Sequence, residues 1–470
     1  MRNSVLQHLI ALMATLLAAP LAAQPAQPLT LKEVLQSSRR HAPAILEAVA
    51  RVRVAEGKQL STQGAFDTVV TAEASTRLSG FYDGKLLGGT ITRPIENWGG
   101  SLYGGYRVSD GRFPIYEDRS FTNVLGELKV GAVFSLLRDR AIDERRLNRA
   151  NASIDVDLAE ANQLFTALGV QRRAVAAYNA WVGAGLRLVI YRDLLMLAEA
   201  RRGGLDRLVR AGARPRILLT ENEQNILRRQ TLVARAEQDL AAAANLLSLF
   251  LRDDAGAPMQ PDPARLPAAL PPLTPRSADP VSLASRRPDV AAFALQLRQA
   301  SNRFALAQNA LRPRLDFKAE VSQDVGPIGA GGRSRVGTET IVGLNFSVPL
   351  QRRAAKGQVD QARSEMESIE RRRQQLTEQI AVELQGLAID VRATETLRTL
   401  AEGEQARASE LAQAERRRFE LGSSDFFLVN AREETAADAA VRKLDAQYRQ
   451  LIAFAELAAA AGDLKALGLD

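Results

Sequence analysis

The chain says the same thing twice. Val130-Gly131-Ala132-Val133-Phe134-Ser135 recurs as Val342-Gly343-Leu344-Asn345-Phe346-Ser347, and Ala72-Glu73-Ala74-Ser75 recurs as Ala319-Glu320-Val321-Ser322. Downstream, Gly212 in an Arg-rich turn is answered by Gly422 in another. The interval from Phe134 to Gly212 is 78 residues, and from Phe346 to Gly422 it is 76. Three matches in one order at near-equal spacing predict two structural copies, each reading strand, long helix, tight turn, long helix. A repeat of this kind constrains the fold more than any single segment does.

The start of the chain sets the compartment. Residues 1–23 carry Arg2 in a short basic head, an apolar stretch from Leu9 to Ala19, and small residues at Ala22-Ala23. That stretch is too short to span a bilayer but suits a signal peptide cleaved near Ala23-Gln24. No later segment offers about 18 consecutive apolar residues, so any passage into a membrane has to be made by strands. With zero cysteines, there is no disulfide framework, thiol chemistry or lipid attached to a cysteine.

Composition points to architecture rather than catalysis. Of two histidines, His8 leaves with the signal peptide, and His41 precedes Pro43 at a helix boundary. A His-based relay or zinc site would have to use that one residue, so no catalytic group, metal site or cofactor is expected. The charge of +8 arises from 62 basic and 54 acidic residues spread along the chain, and aromatics are only 5%. Nucleic-acid binding needs a clustered basic face, so none is expected.

The helices are long. Between Gln351 and Arg418 there is no proline, and only Gly357, Gly386 and Gly403 interrupt. Val359, Ala362, Met366, Ile369, Leu376 and Ile380 alternate three and four apart, with one skipped position at Arg373. The register steps by four to Leu384 and continues through Leu387, Val391 and Thr394, a heptad seam with a stutter. Between Asp143 and Arg210 the corresponding seam is Ala161, Leu164, Leu168, Val175, Tyr178, Val182 and Val189. A helix of 68 residues is a rod of roughly 100 Å.

Four strands go with the rods. Val70, Ala72, Ala74, Thr76 and Leu78 alternate with Thr71, Glu73, Ser75 and Arg77. Leu128 to Phe134, Leu315 to Val321 and Thr340 to Val348 alternate in the same way, one face apolar and the other often charged. This is the pattern of an outer-membrane barrel, apolar toward lipid and polar toward a wet lumen. Four strands cannot close a barrel, and an open edge is not tolerated in lipid. The chain should therefore form a homotrimer sharing one 12-stranded barrel, each protomer giving four strands. The fold class expected is mainly α with a membrane β part, the long coiled-coil helices of three protomers forming a second, helical tube below the barrel.

Two segments fall outside the repeat. Ser322 to Val342 spans 20 residues but Ser75 to Val130 spans 55. The excess, rich in glycine and aromatics, reads as an extended loop at the outer surface with its own hairpin around Thr90 to Val108. Pro258 to Pro280 holds eight of the 19 prolines and reads as an extended linker. The layout is then a signal peptide (1–23), a first repeat (24–251), a linker (252–285), a second repeat (286–462) and a tail (463–470). The strands are expected near 68–78, 121–134, 314–323 and 338–348, and the long helices near 143–210, 216–251, 351–418 and 426–461.

A family resemblance rests on particular residues. Arg286-Arg287-Pro288-Asp289-Val290, then Ala300, Ala307 and Leu311-Arg312-Pro313-Arg314-Leu315, resemble the entry to the second repeat of the TolC-like outer-membrane efflux proteins. Phe346-Ser347-Val348-Pro349-Leu350 resembles their strand-to-helix exit. Phe419-Glu420-Leu421-Gly422 resembles the turn where their long helices meet at the periplasmic tip. The resemblance implies a trimer whose outer-membrane barrel continues into a periplasmic α-barrel, without a lipid anchor. It implies work as the exit duct of a tripartite pump or type I secretion system, with a periplasmic adaptor and an inner-membrane transporter as partners.

Only the tips of such rods can constrict, because a ladder of hydrogen bonds locks the barrel. The tip and gate candidates are Arg210, Gly212, Arg214 and Arg216 in the first copy, and Phe419, Glu420, Gly422 and Asp425 in the second. Salt bridges between protomers are expected to hold the tip shut. Phe419 stands where relatives commonly have tyrosine, and Leu428 and Ala431 stand where they can have an acidic pair, so a hydroxyl latch and a carboxylate ring at that height are not expected. The competing reading is a soluble periplasmic coiled-coil scaffold, which accounts for the rods and leaves the strands without a role.

Overall fold

A computed structural model describes residues 27–114, 120–271, 287–329 and 337–469. The expected signal peptide and residues 272–285 of the expected linker lie outside the described residues. We label the helices α1 (Leu31–His41), α2 (Pro43–Gln63), α3 (Glu144–Arg210), α4 (Ile217–Leu247), α5 (Pro288–Ala310), α6 (Arg353–Glu420) and α7 (Phe426–Ala461). The strands are β1 (Val69–Thr76), β2 (Lys85–Ile95), β3 (Gly100–Asp110), β4 (Glu127–Ser135), β5 (Arg314–Asp324) and β6 (Thr338–Ser347). Each half of the chain runs helix, strands, very long helix, helix. Both compact units draw on both halves, one comprising residues 44–166 and 281–383, the other 1–43, 167–280 and 384–470.

The first unit holds one six-stranded antiparallel sheet in the order β1-β2-β3-β4-β5-β6. Each of the four expected strands is present, and two more stand between the first pair. The hairpin expected around Thr90 to Val108 is present over residues 85–110, but it is built into the sheet rather than carried on an extended loop, which corrects that part of the reading. Glycine pairs at Gly88-Gly89 and Gly104-Gly105 break the alternation that would have marked it. β4 also begins at Glu127 rather than near 121, because the chain turns at Asn123–Gly126, where the Gly126 N–H donates to the Asn123 carbonyl at 2.9 Å.

The register sorts the side chains into two faces. One row runs Val70, Ile91, Gly104, Val130, Val321, Thr340 and is uncharged throughout. The adjacent row on the opposite face runs Thr71, Thr90, Gly105, Lys129, Ser322, Glu339. Val130, Val342, Leu344 and Phe346 are all exposed on the uncharged face. A soluble sheet hides such a face against a core; here nothing among the described residues covers those four side chains.

The heptad seam of α6 is its least exposed stripe. Ala362, Ile369, Ile380 and Leu384 are buried, and Arg373, at the skipped position, is half-buried on the same line. The stripe continues to Ala408, Ala412 and Glu415. The expected seam of α3 is only partly right. Leu168, Val175, Tyr178 and Val182 are buried, but Leu164 and Val189 are exposed. Residues 167–188 of α3 are the centre of the second unit's core and are buried nearly all round, so a single stripe does not describe them.

That core gathers Trp181, Tyr178 and Val182 of α3, Val34 and Leu35 of α1, Leu247 of α4, Ala455 of α7 and Leu467 of the tail. Each fully buried large side chain contributes about 1.5–3 kcal/mol. α1 starts with a side-chain N-cap, the Thr30 hydroxyl oxygen accepting from the Glu33 N–H at 3.2 Å and its O–H donating to the Glu33 carboxylate at 3.1 Å. The described part of the expected linker is folded, not extended: Leu266 and Leu270 pack on the core, and Arg265 binds Glu33 at 2.6 Å.

Candidate functional site

The two tip turns are built alike. In the first, the N–H of Ala213 donates to the Leu208 carbonyl at 2.9 Å and that of Gly212 to Val209 at 3.0 Å. In the second, Ser423 donates to Arg418 at 2.8 Å and Gly422 to Phe419 at 3.0 Å. This double closure requires a left-handed residue, which glycine adopts without penalty; φ is 69° at Gly212 and 77° at Gly422. The glycines therefore end the helices and reverse the chain.

The other candidates have separate local roles. Arg210 pairs with Asp206 one turn back at 2.9 Å. Arg214 is half-exposed in the first turn, and Arg216 stands at the entry of α4 without a side-chain cap. Asp425 is the N-cap of α7, its carboxylate accepting from the Leu428 N–H at 2.6 Å. Glu420 is exposed at the end of α6. Phe419 packs against Phe426 with centroids 6.3 Å apart, and the Arg201 guanidinium lies over both rings, at 5.9 and 5.6 Å.

Sequence reasoning missed the strongest cluster near the tip. Glu433 of α7 has no exposed side-chain surface and is met by three arginines: Arg201 of α3, Arg229 of α4 at 3.2 Å and Arg416 of α6 at 3.4 Å. Each of the four helices contributes one member. Arg201 also donates to Asn430 at 2.7 Å, and Arg229 to the Leu194 carbonyl at 2.6 Å. Burial pulls the Arg229 pKa down, and the charge of Glu433 opposes that shift. The signal was available. Phe426, Val429, Glu433 and Ala437 form one helical stripe, and a carboxylate on a buried stripe demands partners.

On the charged face of the sheet, the Tyr103 hydroxyl donates to Glu320 at 2.5 Å, Lys318 binds Glu320 at 3.1 Å, and Arg107 binds Glu127. In the same unit, Arg287 of the Arg-Pro-Asp motif reaches Asp289 at 2.8 Å and Glu383 of α6 at 3.6 Å. Together Asp289 and Glu383 outweigh burial and raise the Arg287 pKa. The motif thus fastens the start of α5 to α6.

No helix among the described residues is long and apolar enough to cross a membrane, whereas the sheet exposes a face that is uncharged except toward the strand ends. Residues 280–463 match the outer membrane efflux protein family. No curated protein matches the chain. Among solved structures, the outer-membrane channel OprN is similar at a TM-score of 0.64, with 17% identity over 93% of each chain. The CmeC outer membrane channel of Campylobacter jejuni is similar at 0.63, with 13% identity over 92% of this chain and 85% of its own. VceC, an outer membrane protein of Vibrio cholerae, is similar at 0.62, with 15% identity over 92% of this chain and 96% of its own. The efflux-protein fold therefore extends over both halves, including the half that the family match leaves out.

Proposed function

We propose that this chain is the outer-membrane exit duct of a tripartite efflux pump or type I secretion system. Three copies share one barrel through their sheets, and their long helices line a periplasmic conduit. A periplasmic adaptor and an inner-membrane transporter complete the path and supply the energy, so the duct conducts passively. The observation that carries this reading is the sheet. Its uncharged face, its charged face and its two unpaired edges make sense together only as a segment of a closed wall in lipid.

The gate belongs at the tips, where α3 turns into α4 at Gly212 and α6 into α7 at Gly422. The Glu433 cluster ties the four helices of one protomer into a unit. Arg210, Arg214, Arg216 and Glu420 are then placed to contact neighbouring protomers or the adaptor.

Fractionation of cells expressing the full chain tests the reading. A duct is recovered from outer membranes only with detergent, as an oligomer that dissociates on heating. A protein released by osmotic shock as a soluble species returns the coiled-coil scaffold.

A further inference from the structure

Resting on that exit-duct reading, we infer that the β2–β3 hairpin is a full-height segment of the shared wall, so that three copies close into an 18-stranded barrel through β6 of one copy and β1 of the next.

The hairpin crosses the whole height of the sheet. The whole of β1 pairs with β2, from Val69 opposite Thr92 to Thr76 opposite Lys85. β3 pairs with β4 from Gly100 opposite Phe134 to Arg107 opposite Glu127. Its turn lies at the end where the strands meet the helices. There the Ser135 N–H donates to the Gly99 carbonyl at 3.1 Å, and Glu96 binds Arg149 of α3 at 3.0 Å. A flap above the membrane would have its turn at the opposite end.

The hairpin also obeys the same inside-outside rule as its neighbours. Leu87, Gly89 and Ile91 of β2 and Leu102, Gly104, Tyr106 and Val108 of β3 lie on the uncharged face, level with Ala72, Val70, Val130 and Ala132. On that face its charges, Lys85, Arg93 and Asp110, sit toward the strand ends, as a lipid-facing band requires. Arg107 and Tyr103 fall on the charged face, with their partners Glu127 and Glu320.

Closure needs no further element. An even number of strands per copy leaves β1 and β6 running in opposite directions, so β6 meets β1 of the next copy in the antiparallel sense. β1 is exposed at every residue, and β6 at every residue but one. Three six-stranded sheets supply eighteen strands, a number at which barrels hold an aqueous channel, and the lumen is about 1.5 times as wide as with twelve.

Electron cryomicroscopy of the detergent-purified full chain counts the strands. Eighteen, with Ile91 and Leu102 facing the detergent belt, is the expected result. Twelve, with residues 85–110 outside the wall, overturns the inference and leaves the duct standing. A particle without a barrel overturns both. A cysteine-free chain permits a second measurement in proteoliposomes with a membrane-impermeant maleimide. Thr90→Cys and Ser101→Cys should react about tenfold or more faster than Ile91→Cys and Leu102→Cys, and equal rates at all four positions overturn the inference.

Discussion

The Tyr103 hydroxyl reaches Glu320 over the bare backbone of Gly131. Tyr103 lies on β3 and Glu320 on β5, with β4 between them, and the residue paired with both is Gly131. A Cβ at that glycine would stand 2.5 Å from the tyrosine ring. The missing side chain is therefore what allows a hydrogen bond to skip a strand.

Tyr103→Phe removes a hydrogen bond to a charged acceptor, worth about 1.5–3 kcal/mol. It should lower the temperature at which the detergent-solubilised oligomer dissociates. Gly131→Ala should have a similar effect by displacing the ring. The double variant should be no worse than either alone, and additive losses would show that Gly131 and Tyr103 act independently.

Glu433→Gln leaves three guanidinium groups around a neutral amide. Breaking a buried ion pair from one side costs about 3–5 kcal/mol, so hydrogen exchange in α7 near the tip should accelerate and resting conductance should rise. Glu434→Gln, which touches only the more exposed Arg228, should cost about 0–1 kcal/mol. Equal effects of the two substitutions would remove the cluster from the account of the tip.

Gly422→Ala forces a left-handed alanine into open space, since nothing lies near a Cβ there. The cost is backbone strain alone, about 1–2 kcal/mol. Thermal unfolding should register that loss, and an unchanged melting profile would mean that the turn rearranges.

Tyr178 is buried in the helical core and donates to the Leu29 carbonyl at 2.8 Å. Burial pushes its pKa up to about 12, with the charge of Glu33 adding to the shift. Above pH ~10 the unfolded chain releases this proton while the folded chain keeps it. Stability should therefore be unaffected by this group below pH ~10 and fall as pH rises toward about 12. Tyr178→Phe should flatten that fall in denaturant titrations, and an identical slope in the variant would assign it to other groups.

Much of this architecture is legible in the residues, and the exceptions have physical causes. The α6 seam shows in Ala362, Ile369, Ile380 and Leu384 because only one stripe of that helix is buried. The middle of α3 hides its pattern because it is enclosed on every side. The β2–β3 hairpin is legible in outline around Thr90 to Val108, but its place within the sheet is not, because Gly88-Gly89 and Gly104-Gly105 interrupt the alternation of its two faces. Glu433 is one of 54 acidic residues in the sequence. Its three partners lie on three other helices, a proximity that one-dimensional spacing does not express.

The most direct test of the central claim is electrical. The mature full chain, purified in detergent and added to a planar bilayer, should give discrete, stable single-channel steps of small conductance, as a wide barrel narrowed at closed tips would. A protein that never inserts, and that stays soluble and monodisperse without detergent, would contradict the duct.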